Sequence, residues 1–306
     1  MKKMLLLVML AVMLVLAACS MEAPGSSSSE KEGGKSEGDF KVGFSISTLN
    51  NPFFVTLSEG AQEKADELGV ELTVVDAQDN ASKQASDVED LIQQNVDLLL
   101  INPTDSQAVA AAVEAANSAG IPVITVDRSA EGGEVVSHIA SDNVAGGEMA
   151  GEYLLELVGN GSFVAELEGI PGSSAARDRG EGFNNVAGGT LDVVAKQTAN
   201  FNRAEGLTVM ENILQSNPDI KGVFAHNDEM ALGALEAIEA SGKDIFVVGF
   251  DATDDAVKSV EAGNLAGTVA QKPDLIGITA METAVAHLKG EEVEKSIPVE
   301  LELIKK

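Results

Sequence analysis

Ser47-Thr48-Leu49-Asn50-Asn51-Pro52-Phe53-Phe54 is the junction from which the fold can be read, because an apolar run ends there and a helical pattern begins. Upstream, residues 41–46 alternate and place Val42, Phe44 and Ile46 on one face, as a strand does. Pro52 suits the first turn of a helix, where a missing N–H costs nothing, so Asn50 or Asn51 is the N-cap. A strand-to-helix turn of this kind sits at the carboxyl end of a parallel sheet, where open α/β folds bind small molecules. Phe53 and Phe54 can be core residues beneath the helix or aromatic walls at that mouth.

Working outward, strand and helix alternate. A helix over residues 52–68 stops at Gly69 and a strand follows at 70–75. Helix 82–94, strand 97–101 and an Ala-rich helix capped by Thr104-Asp105-Ser106 and running to Gly120 come next. Strand 121–126 ends in Asp127-Arg128, and strand 134–140 leads into Ser141-Asp142-Asn143. A second series then starts: helix 143–158, strand 163–167, helix 175–186, strand 191–198 ending near Phe201, helix 204–215 and strand 220–225. The strand at 220–225 ends at His226-Asn227-Asp228, and helix 229–240 and strand 245–250, ending at Asp251, complete that run. Strand 265–270 ends at Gln271, followed by helix 273–288 and one last strand near 297–304. Continuous apolar strands between amphipathic helices imply parallel sheets covered on both faces, and the two series imply two related lobes.

With 306 residues the chain is long enough for two domains, and 44% hydrophobic content excludes general disorder. Twenty basic against 49 acidic residues, a net charge of -29, argue against nucleic acid. Lys2 and Lys3 precede an apolar run over residues 4–18 that is short for a membrane span but fits a secretion signal. It ends in Leu16-Ala17-Ala18-Cys19, the pattern of a bacterial lipoprotein signal, and Cys19 is the chain's one cysteine. The expectation is a signal peptide over 1–18, lipidation at Cys19 and a flexible tether over 19–39. Its Ser, Gly, Glu and Lys composition would span roughly 25 Å. The protein is then extracytoplasmic, held at the membrane by the lipid alone.

The strand ends collect Asn51, Phe53, Phe54, Asp127, Arg128, Phe201, Asn227, Asp251 and Gln271 on one sheet edge. Singly, Asp127 with Arg128 is an ordinary loop ion pair, and Asp251 fits equally as the N-cap of a following helix. Together, amides, carboxylates and a guanidinium exchange paired hydrogen bonds with neighbouring hydroxyls, while phenylalanine faces stack on the C–H surface of a sugar ring. That chemistry suits a neutral polyol.

The segments 48–54, Ile101-Asn102-Pro103-Thr104-Asp105, 122–128, 137–143, Ser174-Ala175-Ala176-Arg177-Asp178-Arg179-Gly180 and Asn227-Asp228-Glu229-Met230-Ala231-Leu232-Gly233 resemble the D-ribose-binding proteins of bacterial ABC importers. The likeness runs from Phe40 nearly to the end. It implies an α/β fold of two similar lobes, each a parallel β-sheet flanked by helices, joined by three hinge crossings: the type I periplasmic binding protein. The lobes would comprise residues 40–141 with 272–300, and 142–271 with 301–306. It also implies that Asn51 hydrogen-bonds the sugar and Phe53 and Phe54 sandwich it from the first lobe. Asp127 and Arg128 take its hydroxyls. Arg179, Phe201, Asn227 and Asp251 contact it from the second lobe and Gln271 at a crossing. Ser141, Asn143 and Phe250 line the cleft without direct contact. The implied partners are D-ribose and an ABC permease, with no cofactor, metal or nucleic acid, and the protein is monomeric; a chemoreceptor is a further candidate partner.

Rival classes find little support. His138, His226 and His287 have no metal-ligand spacing, no nucleophile elbow or phosphate loop occurs, and Gly146 with Gly151 lacks the lysine such a loop needs. An enzyme is therefore not expected, and His226 reads as a packing residue. A transcription regulator of the same architecture would carry a basic DNA-reading segment where this chain has a secretion signal. The nearer alternative is a binder of another sugar, or of autoinducer-2, on the same fold.

Overall fold

Val42, Phe44 and Ile46 are fully buried in the first strand, as their alternation requires. They belong to a computed structural model that describes residues 40–306; the expected signal peptide, the lipidation site and the whole tether lie outside the described residues. The elements are β1 (Lys41–Ile46), α1 (Pro52–Leu68), β2 (Glu71–Asp76), α2 (Ala81–Gln93), β3 (Leu98–Ile101), α3 (Ala110–Ser118), β4 (Val123–Val126) and β5 (Ser137–Ser141). They continue as α4 (Asn143–Val158), β6 (Phe163–Glu168), α5 (Ser174–Ala187), β7 (Asp192–Thr198), α6 (Arg203–Ser216), β8 (Gly222–Ala225), α7 (Asp228–Ser241) and β9 (Phe246–Asp251). Last come α8 (Asp254–Ala262), β10 (Gly267–Ala270), α9 (Pro273–Leu288), β11 (Ser296–Val299) and β12 (Glu302–Lys305).

Two six-stranded sheets result, ordered β11-β5-β4-β3-β1-β2 and β12-β10-β9-β8-β6-β7. Every pairing is parallel except β10 with β12. Strands such as β3, β4 and β8 are buried throughout and so read as apolar runs. The chain passes from one sheet to the other after β5, after β10 and after β11. Helix α9 returns to pack on α1 beneath the first sheet, with Ile276, Ala280 and Met281 in the same core as Leu57 and Ala61.

Three readings of the sequence need correction. The run at 297–304 is two strands in different sheets, β11 and β12, not one. The Ala-rich helix starts at Ala110, because Asp105 caps a preceding turn instead: its Oδ1 accepts from the N–H groups of Gln107 and Ala108 at 2.9 and 2.7 Å. Helix α8 went unread, and its N-cap is Thr253 rather than Asp251, which is the last residue of β9.

Candidate functional site

Asn51 is the cap of α1, its side-chain oxygen accepting from the Phe53 N–H at 3.0 Å. The cap fixes the first turn so that Phe53 and Phe54 meet edge to face, centroids 5.1 Å apart at 87°. Asn102, at the end of β3, ties three strand ends together. Its Oδ1 accepts from the Ser47 N–H at 3.1 Å, and its Nδ2 donates to the Val126 carbonyl at 3.0 Å and the Asp127 carboxylate at 3.4 Å. Asp127 leaves β4 with a left-handed backbone, φ 61°, which turns its side chain and that of Arg128 inward.

From the second sheet, α5 supplies Arg179. Its Nε donates to Asn143 Oδ1 at 2.8 Å, its Nη1 donates to the His226 carbonyl at 2.6 Å, and the guanidinium lies 3.9 Å from the Phe250 ring centre. Asp251 stands 3.6 Å from that guanidinium and accepts from Gln271 Nε2 at 2.9 Å. Asn227 caps α7 by accepting from the Met230 N–H at 3.0 Å and donates to the Phe201 carbonyl at 3.4 Å. Phe201 is also left-handed, φ 58°.

The two sets converge. Asn51, Phe53, Phe54, Asp127 and Arg128 face Arg179, Phe201, Asn227, Asp251 and Ala175 across a pocket whose open volume is about 10 Å³. With the lobes this close the side chains nearly fill it, leaving room for little more than one water. Gln271 does not line the pocket; it braces Asp251 from behind. Asn143 and Phe250 likewise hold Arg179, and Ser141 is buried nearby in sequence at the end of β5. Ala175 carries no polar or aromatic signal, so sequence reasoning passed over it. A wider vestibule of about 300 Å³ adjoins the pocket, sharing Asn51, Phe54, Arg128 and Phe201 and adding Thr48, Asp79 and Asn202.

The two halves also touch beyond the pocket. The Ser106 N–H donates to the Gly172 carbonyl at 2.9 Å, the Ser129 N–H donates to Ser174 Oγ at 2.9 Å, and Arg177 pairs with Glu131 at 2.5 Å. The cleft is closed.

Burial works against the charge of Arg128, with Asp127 and Asp79 restoring part of it. Its guanidinium carbon lies 4.9 Å from the Phe54 ring centre and 5.3 Å from that of Phe201, so one cation faces an aromatic ring from each sheet. Burial also pushes Asp251 well above the usual carboxylate range, and Arg179 opposes the shift. Asp127 Oδ1, Arg128 Nε and Gln271 Oε1 are buried without a hydrogen-bond partner in the protein. Buried polar atoms are normally paired, and two of these, on Asp127 and Arg128, belong to side chains that line the pocket.

His226, fully buried, does more than pack. Its Nδ1 accepts from the Gly169 N–H at 3.3 Å, which leaves Nε2 to carry the proton and donate to Glu166 at 2.9 Å. Burial lowers its pKa, which favours the neutral ring against the opposing pull of Glu166, and its carbonyl accepts from Arg179. A histidine depressed in the folded state contributes stability above its unfolded value of about 6.5, and this is lost as pH falls through the folded value. Nitrogen-15 NMR should therefore show the Nε2–H tautomer, unchanged from pH 8 to pH 6.5. Titration near 6.5 would contradict the assignment.

Among the described residues no group of three His, Cys, Asp or Glu side chains could hold a metal, and no helix is long and apolar enough to cross a membrane. A family model described as periplasmic binding protein domain matches residues 42–292. The chain belongs to that family. This binding protein is 55% identical, over 99% of both chains, to the ribose import binding protein RbsB of Bacillus subtilis. It is 56% identical to the Escherichia coli protein of the same name, over 85% of this chain and 89% of that one. Among solved structures, the Caulobacter myo-inositol binding protein bound to myo-inositol superposes with a TM-score of 0.83 at 37% identity, covering 87% of this chain and 93% of the other. An ABC transporter solute binding protein from Mycobacterium smegmatis with bound glycerol gives 0.84 at 36% identity, over 87% and 94% of the two chains.

Proposed function

We propose that this protein captures D-ribose between its two lobes, outside the cytoplasm, and delivers it unaltered to an ABC importer. One observation carries the reading: a pocket between the lobes that takes phenylalanines from both halves and sets an aspartate and an arginine from each among them. Rings cover the C–H faces of the sugar while Asp127, Arg128, Arg179, Asn227 and Asp251 take its hydroxyls, and Gln271 fixes Asp251. A sugar presenting one hydroxyl on the wrong face leaves a buried partner unsatisfied, at about 1–3 kcal/mol. The ring of a pentose, neutral and polar at its edge, is the complement.

The lobes divide at 141/142, 271/272 and 300/301, and these crossings are the hinge. Only the closed form contacts the sugar from both sides, so ribose shifts the population toward it. Cys19 carries the lipid that moors the protein, which works as a monomer, and the closed form is what the permease recognises. A chemoreceptor reading the same form is compatible with this.

A melting experiment on the protein lacking residues 1–38, run against a sugar panel, tests the reading. Ribose at a hundredfold excess over Kd adds about 2.7 kcal/mol, which for a domain of this size raises Tm by about 5–10 °C. A larger rise with allose, galactose, xylose or autoinducer-2 than with ribose would overturn the ligand assignment, as would recovery of chemically changed ribose.

A further inference from the structure

We propose that Asp228, which does not line the sugar pocket, is a positioning residue that holds the backbone of residues 251–253 in the conformation aiming Asp251 at the ligand. The inference rests on the ribose-binding reading only for its second measurement below.

Asp251 and Ala252 both have positive φ, 122° and 55°. Neither is glycine, and side-chain-bearing residues avoid that region unless their surroundings impose it. What imposes it is a fully buried carboxylate at the start of α7. Oδ2 of Asp228 accepts from the Thr253 N–H at 2.8 Å and from Thr253 Oγ1 at 3.2 Å. Oδ1 accepts from Thr268 Oγ1 at 2.7 Å, and that hydroxyl oxygen in turn accepts from the Ala252 N–H at 3.2 Å. Two consecutive amides after Asp251 are thus held, one directly and one through Thr268. Gly249 makes the room, since a Cβ there would overlap Oδ1.

A buried carboxylate near the carboxylates of Glu229 and Asp251 is a costly device even with three hydrogen bonds to it, and burial pushes Asp228 up to about 7. A fold needing only a helix start at this point would do without it, because Asn227 already caps α7. The bonds run instead to the turn that ends β9 and carries Asp251. Asp228 therefore acts on the ligand through Asp251, in the way that an outer-shell residue orients a metal ligand.

The test uses Asp228→Asn, with Thr268→Val as a second variant that removes the relay hydroxyl and leaves Asp228 in place. Without sugar, NMR should show the Asp251 and Ala252 amides and the Gln271 side-chain amide shifting in both variants, while those of Asn51 and Asn102 stay put. Unmoved Asp251 and Gln271 signals would overturn the proposal whatever the ligand proves to be. In calorimetry with D-ribose, Asp228→Asn should weaken binding at least tenfold in the parent and less than threefold in an Asp251→Ala background. Equal losses in both backgrounds would mean a merely structural role and would overturn it. If the parent itself ignores ribose, the ribose reading fails and the ligand-free spectra alone decide the role of Asp228.

Discussion

Replacing Arg128 by alanine should weaken D-ribose binding by two orders of magnitude or more. The side chain is 3% exposed, its Nη1 donates to the Pro103 carbonyl at 3.2 Å, and its Nε lies 3.6 Å from Asp127. Truncation leaves Asp127 as a buried carboxylate without its cation and strips the Phe54 and Phe201 rings of the charge between them. Removing one member of a buried charged pair at an interface costs about 2–5 kcal/mol, and each 1.4 kcal/mol is a factor of ten in Kd. Part of that loss falls on the ligand-free protein and does not count toward binding. The part that does is realised only when the lobes meet: the contact with Phe201, which belongs to the other sheet, and the hydrogen bonds to the sugar. Arg128→Lys should lose at least tenfold as well, since an ammonium offers no planar fork to lie between two rings or to take adjacent hydroxyls. Calorimetry on both variants decides; an alanine variant within threefold of the parent would remove Arg128 from the site.

The positions of these side chains were legible because each ends or follows an apolar run: Asp127 after 123–126, Asn227 after 222–225, Asp251 closing 246–251 and Gln271 after 267–270. Apolar runs locate strands, and parallel strands put their ends on one edge. Their aim was not legible. Asp127, Phe201 and Asp251 all sit at positive φ, a conformation that an apolar run does not foretell. The Glu166–His226 bond spans 60 residues and left no local mark. The final run misled for a different reason. Ile297, Val299, Leu301 and Leu303 keep a period of two straight through the point where the chain changes sheets, so alternation alone could not show the break between β11 and β12. The helix at 254–262 buries only Ala256 and Val260, too thin a stripe to announce itself.

Gly147→Ala should destabilise the protein by at least 2 kcal/mol, although intrinsic propensity argues the opposite sign. Alanine is favoured over glycine inside a helix by about 1 kcal/mol. At Gly147, in α4, a Cβ would overlap the carbonyl oxygen of Arg179 on α5, and at Gly182, on α5, it would overlap the carbonyl oxygen of Val144 on α4. The two helices therefore meet backbone to backbone, each glycine making way for the other helix. Overpacking of this kind costs about 1–3 kcal/mol where side chains can yield. A backbone carbonyl within a helix cannot yield without moving the helix, which puts the cost here at the upper end or above and lets it exceed the propensity gain. Gly151, on the same helix, supplies the comparison: its Cβ would meet Val186 Cβ at 3.1 Å, tight by only a few tenths of an ångström and not an overlap with a backbone oxygen, so Gly151→Ala should lose less. The seam also has a functional side, because Arg179 itself lies on it and its Nε bonds Asn143 at the first residue of α4. Prising α4 from α5 should thus weaken ribose binding as well as stability. Urea denaturation with calorimetry on the same preparations measures both, and a Gly147→Ala protein as stable as the parent would show that the helices are free to separate.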